Sequence, residues 1–198
     1  MPMELTLIIA PDIYGLTPAV EELAGQLAAD QVIPLDPYDG KSGWFTDQAK
    51  AYAHFTRHVG LAAYARSIYN LLMDRPPDQR QGARVLLGFS VGASALWTLS
   101  DNHEFSDIRL CLGYYGSQIR NHTGIHPHWP MELIFPESED HFDVNALVAT
   151  LAGRDNLSLK TEPGRHGFMN PYAPDYDPEL ARAQVTDINH RLDQIRHM

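Results

Sequence analysis

Short apolar runs alternate with longer segments of helical period along the 198-residue sequence, and this alternation limits the possible folds more than any other feature. Several of the runs are too continuously apolar for a strand with one face in water, which is typical of a parallel sheet covered on both faces. The repeated order of strand and helix therefore predicts an α/β fold with right-handed crossovers. The expected strands are Leu5–Ala10, Val32–Asp36, Arg84–Phe89, Ile108–Tyr114, Glu132–Phe135 and Leu157–Thr161.

The segments between these runs carry apolar residues at three- and four-residue spacing, which predicts helices. Thr17-Pro18 suits a helix cap followed by a first turn, and a break near His58-Val59-Gly60 divides one long segment into two helices. Arg75-Pro76-Pro77-Asp78 predicts a surface loop inside one domain that spans residues 1–198. We expect a mainly parallel sheet of six or more strands. The expected helical segments are Pro18–Asp30, Asp47–Asp74, Gly92–Ser100, Val144–Gly153 and Pro178–Ile195.

Composition excludes several classes of partner. The net charge of −10 disfavours nucleic acids and anionic membranes, because both require a basic surface. No apolar run approaches the roughly 20 residues of a membrane helix. The single cysteine, Cys111, excludes an internal disulfide and a cysteine-based zinc site. The first apolar run follows no basic segment and precedes no cleavage site, so we expect a cytoplasmic protein.

The sequence Gly88-Phe89-Ser90-Val91-Gly92 lies where a predicted strand gives way to a predicted helix. In so tight a turn a nucleophile is held in a strained backbone conformation, and the flanking glycines let strand and helix approach. Ser90 would project above the sheet, and the N–H of Val91 would donate to a developing oxyanion. The pattern predicts a nucleophilic serine; the alternative is a glycine-rich turn that serves packing alone.

A serine nucleophile requires a histidine base and an acid that orients it, in the chain order serine, acid, histidine. His166 follows the last predicted strand, where a loop side chain can reach Ser90. Asp140 lies in a loop at the same edge of the sheet, and the 25 residues between it and His166 suffice for one helix and one strand. Glu137 and Glu139 are rivals for the acid, which the residues alone do not exclude.

Five motifs occur in order over nearly the whole chain: IIAPDIYGL, GFSVGA, GYYGS, ESED and PGRHGF. Together they resemble the motifs of the dienelactone hydrolases, a family with the α/β-hydrolase fold. The resemblance implies a triad of Ser90, Asp140 and His166, and so favours Asp140 over the two glutamates. It also implies an oxyanion hole from the backbone N–H groups of Ile13 and Val91, and it implies no cofactor.

Three positions depart from the family's pattern. The founding enzymes of the family have cysteine where this chain has Ser90, and glutamate where it has Asp12. Members that cleave a carboxylated lactone have arginine where this chain has Asn170, so the resemblance does not predict the substrate. Four residues are candidates for the substrate pocket: Asp12, Tyr115, Arg120 and Arg165; for Tyr115 a plain packing role is an equal alternative.

These observations predict a hydrolase of small esters or lactones, without a metal or other cofactor. The histidines at 122, 126 and 128 lie in a loop that offers no carboxylate as a further ligand, so we expect no metal site there. The expected partner is a small-molecule ester or lactone, and the sequence does not indicate an oligomeric state. Two alternatives stay open: a hydrolase of an amide, peptide or thioester bond, and a non-catalytic binding protein with the same fold.

Overall fold

The computed structural model describes residues 3–40, 43–74 and 82–198. The loop expected at Arg75-Pro76-Pro77-Asp78 lies outside the described residues. In chain order the elements are β1 (Leu5–Ala10), α1 (Pro18–Gln26), β2 (Gln31–Pro34), α2 (Gln48–His58), α3 (Gly60–Met73), β3 (Ala83–Phe89), α4 (Val91–Leu99), β4 (Ile108–Tyr114), a 3₁₀ helix (Ser117–Asn121), β5 (Met131–Pro136), α5 (Val144–Leu151), β6 (Leu157–Glu162) and α6 (Pro178–Arg196).

The six strands form one sheet in the order β2-β1-β3-β4-β5-β6, and every neighbouring pair is parallel. This confirms the predicted α/β fold with a parallel sheet of six strands. The central strands β1, β3 and β5 are buried at every residue, as their continuous apolar runs predict. Because parallel strands end at one edge of the sheet, the loops after β1, β3, β5 and β6 meet there.

Helices cover both faces of the sheet. Successive side chains of a strand point to opposite faces, and in β1 Leu7 and Ile9 pack with α1 and α6, whereas Ile8 and Ala10 face α2 to α5. The fully buried Trp97 of α4 packs in the core on the α2 to α5 side of the sheet. The sheet therefore separates two apolar cores.

Side-chain caps fix where several helices begin. The Thr17 hydroxyl accepts a hydrogen bond from the Val20 N–H at the start of α1, as predicted, and Pro18 follows it. Asp47, Asp143 and Asp177 accept backbone N–H groups at the starts of α2, α5 and α6. Caps of this kind typically contribute about 1 kcal/mol each.

Helix α1 ends at Gln26, four residues before the predicted end at Asp30. The chain needs these residues to turn into β2: the Asp30 carboxylate accepts the Leu5 N–H at 2.8 Å, and the Asp30 N–H donates to the Leu5 carbonyl at 3.0 Å. Asp30 is thus hydrogen-bonded to β1 and does not continue α1.

The longest helix, α6, has 19 residues and is amphipathic. Ile188, Leu192 and Ile195 are buried against the sheet, whereas Arg191 forms ion pairs with Asp187 and with Glu132 of β5. None of the helices in the described ranges is long and apolar enough to cross a membrane.

Candidate active site

Ser90 lies at the sharp turn between β3 and α4. Its backbone has φ +51° and ψ −110°, a conformation that residues with a side chain rarely adopt. The Ser90 N–H donates to the Tyr114 carbonyl at 2.9 Å, and the Ser90 carbonyl accepts both the N–H and the hydroxyl of Ser94 at 2.9 Å. These bonds hold the strained turn in place and leave the Ser90 hydroxyl at the end of the strand.

The two glycines of the turn are required by close packing. A Cβ at Gly92 would lie 2.0 Å from the Ala10 carbonyl oxygen of β1, and a Cβ at Gly88 would lie 2.7 Å from the backbone of Ala93. No real Cβ approaches backbone atoms so closely. The glycines therefore let α4 start directly against β1 and β3, as the sequence predicts.

His166 connects Ser90 to a carboxylate. Its Nε2 lies 2.9 Å from the Ser90 Oγ, and its Nδ1 lies 2.7 Å from the Oε1 of Glu139. An ionised carboxylate only accepts, so Glu139 fixes the proton on Nδ1 and leaves Nε2 free to accept the serine proton. The Glu139 side chain is 4% exposed and the His166 side chain 31% exposed, so the carboxylate is shielded while the imidazole faces the open side of the site.

The expectation that Asp140 orients His166 is wrong. The Asp140 carboxylate points outward and forms an ion pair with Arg165, and its side chain is 70% exposed. Adjacent side chains of an extended loop point to opposite sides, so only one of two neighbouring carboxylates can face the histidine. The inward position belongs to Glu139, which the sequence left as a rival of Asp140.

The turn that presents His166 is held by its own backbone. The Phe168 N–H donates to the Arg165 carbonyl at 3.2 Å, and the Asn170 N–H donates to the Gly167 carbonyl at 2.8 Å. Gly167 has φ +85°, which favours glycine. The Phe168 ring is fully buried and anchors the turn below His166.

Two tyrosines brace the loop that follows β1. The Tyr64 hydroxyl of α3 donates to the Pro11 carbonyl at 3.1 Å, and the Tyr38 hydroxyl donates to the Ile13 carbonyl. The bond to its carbonyl thereby holds Ile13, which is predicted as an oxyanion donor. Val91 is the first residue of α4, so the Val91 N–H has no acceptor within the helix. The role of both N–H groups in an oxyanion hole stays a prediction. The sequence gives no local signal for the two tyrosines.

Asp12 is buried in the loop after β1 and is hydrogen-bonded to Asn170 of the histidine turn. Its Oδ2 accepts the side-chain amide of Asn170 at 2.8 Å, and its Oδ1 accepts the Tyr14 N–H at 2.9 Å. Burial raises the pKa of the Asp12 carboxyl, while these two donors and the charge of His166 act in the opposite direction. Asp12 and Asn170 thus tie the loop after β1 to the histidine turn.

The other candidate pocket residues lie in different surroundings. Tyr115 is buried with φ +41°, and its ring centroid lies 5.2 Å from that of His166. Arg165 is shared between Asp140 and Asp175 at the surface. Arg120 donates to the Ser117 carbonyl, and its guanidinium lies 5.2 Å from the centre of the Phe142 ring. Tyr115 flanks the triad, whereas both arginines are engaged with other groups.

The histidine loop is occupied by packing interactions. The His122 carbonyl accepts the indole N–H of Trp97 at 2.9 Å, and the His128 ring packs against that of His103 at an angle of 35°. Among the described residues, no three histidine, cysteine or acidic side chains are arranged to hold a metal ion.

One curated relative is similar in sequence over most of the chain. It is the uncharacterized protein YczH of Bacillus subtilis strain 168, 31% identical over 176 residues, which cover 83% of this chain and 80% of YczH. The chain belongs to the YczH family. No protein-family model matches the sequence.

Solved structures show the fold of this YczH-family chain to be that of the dienelactone hydrolases. A Klebsiella pneumoniae protein assigned as a dienelactone hydrolase has a TM-score of 0.72 at 14% identity, covering 98% of this chain and 88% of its own. The dienelactone hydrolase-like promiscuous phosphotriesterase P91 from metagenomic libraries has a TM-score of 0.64 at 13% identity, with coverage of 98% and 88%. Est1E of Butyrivibrio proteoclasticus, solved with ferulic acid, has a TM-score of 0.66 at 13% identity, with coverage of 98% and 90%. At these identities the likeness concerns the fold, and it confirms the α/β-hydrolase fold that the five motifs imply.

Proposed function

We propose that the chain is a serine hydrolase that cleaves small carboxylic esters or lactones through an acyl-enzyme. Ser90 is the nucleophile, His166 the general base and Glu139 the carboxylate that orients the base. The observation that carries the proposal is the pair of hydrogen-bond distances at the imidazole, 2.9 Å to Ser90 and 2.7 Å to Glu139. A serine becomes nucleophilic only beside a base that a third group orients.

In the first half of the reaction the Ser90 Oγ forms a bond to the substrate carbonyl carbon while its proton passes to His166 Nε2. The carbonyl electron pair moves onto oxygen, where the N–H groups of Ile13 and Val91 stabilise the charge. Glu139 stabilises the imidazolium. Collapse of the intermediate breaks the bond to the alcohol oxygen, which takes the proton from His166 and leaves an ester on Ser90.

In the second half His166 takes a proton from water, and the resulting hydroxide oxygen bonds to the acyl carbon. Collapse releases the carboxylic acid, and the Ser90 oxygen recovers its proton from His166. With a lactone the alcohol and the acid belong to one molecule, so the product is a hydroxy acid.

The test is covalent labelling with a fluorophosphonate, followed by intact-mass measurement, together with hydrolysis of p-nitrophenyl acetate. We expect one adduct per chain and expect Ser90→Ala to abolish it and to lower kcat on the order of 10⁴-fold or more. Ser67→Ala, at a half-buried position of α3 where the hydroxyl donates to the Ala63 carbonyl, is the matched control and should label and turn over normally. An adduct on Ser90→Ala, or near-normal turnover by that variant, would reject Ser90 as the nucleophile.

A panel of an ester, a thioester and an anilide that share one acyl group tests which class of bond the chain cleaves. The proposal requires the highest kcat/KM for the ester. A higher value for the thioester or the anilide would assign the chain to another class of hydrolase. A folded protein that neither labels nor hydrolyses any member of the panel would be a binding protein.

A further inference from the structure

A cavity of about 410 Å³ lies on the α1 and α6 side of the sheet, at the edge where the strands end. Its walls are mainly apolar: Val20 and Leu23 come from α1, Phe89 from the end of β3, and Ala181 and Val185 from α6. Small-molecule sites in proteins typically have this size and a mainly apolar lining. Because the cavity separates two helices that otherwise pack on the same core, filling it with a ligand adds apolar contact without opening the fold.

The inner wall of the cavity is shared with the candidate active site. Asp12, Asn170 and Tyr115 line it, but neither Ser90 nor His166 is among its described lining residues. Tyr115 lines the cavity, and its ring centroid lies 5.2 Å from that of His166. A molecule in the cavity would therefore contact the residues that flank His166 and would leave the nucleophile accessible.

The polar groups of the inner wall select the chemistry of the occupant. The Asp12 oxygens each accept one N–H from the protein, and a carboxylate oxygen has two lone pairs, so each retains one acceptor position. The rim carries Glu22 and Arg182, one charge of each sign. The inner wall thus favours a hydrogen-bond donor on an apolar body, and the net charge of −10 disfavours an anion.

We propose that this cavity is a second ligand site, separate from the acyl site, for a small apolar molecule that carries one hydrogen-bond donor. The donor bonds to the Asp12 carboxylate, and the apolar body lies between α1 and α6. The site does not depend on the proposed hydrolase activity, because its occupant touches neither Ser90 nor His166. A molecule bound in the cavity would contact both Asp12 and Asn170, which are hydrogen-bonded to each other.

The probe is N-phenyl-1-naphthylamine, a neutral fluorophore whose two aromatic groups are joined by a single N–H. We expect saturable binding of one probe per chain in a fluorescence titration. Ala181→Trp fills the cavity from α6 and should weaken binding at least tenfold, whereas Ala183→Trp places the same side chain on the exposed face of the same helix and should leave the affinity unchanged. Ala19→Trp fills the cavity from α1 and provides a second variant if Ala181→Trp does not fold by circular dichroism.

The donor is tested with 1-phenoxynaphthalene, in which an ether oxygen replaces the N–H. An ether oxygen only accepts hydrogen bonds and cannot bond to the Asp12 carboxylate, so the ether should compete with the probe with an inhibition constant at least tenfold higher than the Kd of the amine. Equal affinities would overturn the assignment of Asp12 as acceptor.

Titration of protein whose Ser90 carries the fluorophosphonate separates this site from the acyl site. We expect an unchanged affinity for the probe, and no competition between the probe and p-nitrophenyl acetate in the unlabelled protein. Loss of probe binding on labelling would overturn the proposal and assign the cavity to the substrate. Equal binding to the two cavity-filling variants and the exposed control would reject the cavity as the binding site. Failure of Ser90 to label would reject the proposed hydrolase and leave the probe titration valid.

Discussion

His166 has a different partner on each ring nitrogen, and the two partners set its chemistry. Glu139 holds the Nδ1 proton from a position shielded from water, so the Nε2 lone pair is directed at Ser90. Asp140, the next residue, interacts with Arg165 at the surface instead. The same loop therefore supplies one carboxylate to the candidate site and one to a surface ion pair.

The division of roles predicts unequal effects of two isosteric substitutions. Glu139→Gln should lower kcat for p-nitrophenyl acetate on the order of 10⁴-fold, because the amide no longer holds the imidazole in the required tautomer. Asp140→Asn should change kcat little, because it breaks only an exposed ion pair. A loss with Asp140→Asn as large as that with Glu139→Gln would contradict the assignment.

Which of the two adjacent carboxylates faces His166 could not be predicted from the sequence. Glu139 and Asp140 are adjacent and both carry a carboxylate, and which of them faces inward depends on the path of the loop after β5. The one local signal is Arg165, a cation directly beside the histidine, with which a second acid of the facing loop can pair. The resemblance to the dienelactone hydrolases located the acid loop but implied Asp140 in place of its neighbour Glu139.

At the scale of elements, α4 is held against β1 by a contact that admits no side chain. A Cβ on Gly92 would come within 2.0 Å of the Ala10 carbonyl oxygen and 2.6 Å of that of Pro11. The backbone of β1 continues directly into the loop that carries Asp12 and Ile13. The distance between α4 and β1 therefore also sets the distance between the nucleophile and that loop.

We expect Gly92→Ala to lower the free energy of unfolding by at least about 1–3 kcal/mol, the usual cost of overpacking, as measured by urea denaturation. Gly25→Ala in α1 is the matched control, because a Cβ there meets nothing within 4 Å. It should raise stability by about 0.4–1 kcal/mol, since alanine restricts the unfolded chain. Equal stabilities of the two variants would show that the contact between α4 and β1 relaxes freely.

The elements were predictable because their signals are local. Short runs of strand-forming residues, several of them continuously apolar, located all six strands, and the break at His58-Val59-Gly60 separated α2 from α3 as expected. The hydrogen bond between Asp12 and Asn170 joins residues 158 positions apart, and nothing near either residue indicates it. Contacts that depend on how distant loops meet are thus what the sequence leaves open.

At the scale of the whole molecule, the net charge bears on which substrates the proposed hydrolase would accept. The net charge is −10, and Arg165 is already paired with Asp140 and Asp175. Asn170, where the resemblance to the dienelactone hydrolases would place an arginine, is a neutral residue and donates to Asp12. The described surface around the triad thus offers a substrate carboxylate little positive charge.

We expect neutral esters to be hydrolysed with a higher kcat/KM than dienelactones that carry a free carboxylate. Steady-state kinetics with both substrates over a range of ionic strength test this, since salt screens repulsion and should narrow the difference. A preference for the anionic lactone that falls with salt and with Arg165→Ala or Arg120→Ala would refute the expectation.

The backbone conformation at Ser90 links catalysis to the evolutionary history of such chains. A side chain at φ +51° and ψ −110° costs on the order of 1–3 kcal/mol, a substantial fraction of the 5–15 kcal/mol that typically holds a domain folded. The proposed role of Ser90 as the nucleophile explains why that cost is kept, because glycine would occupy the same turn without it. In a lineage that had lost the proposed reaction, drift toward glycine at this position would be favoured by stability alone, so the residue found there would record whether a descendant retains that activity.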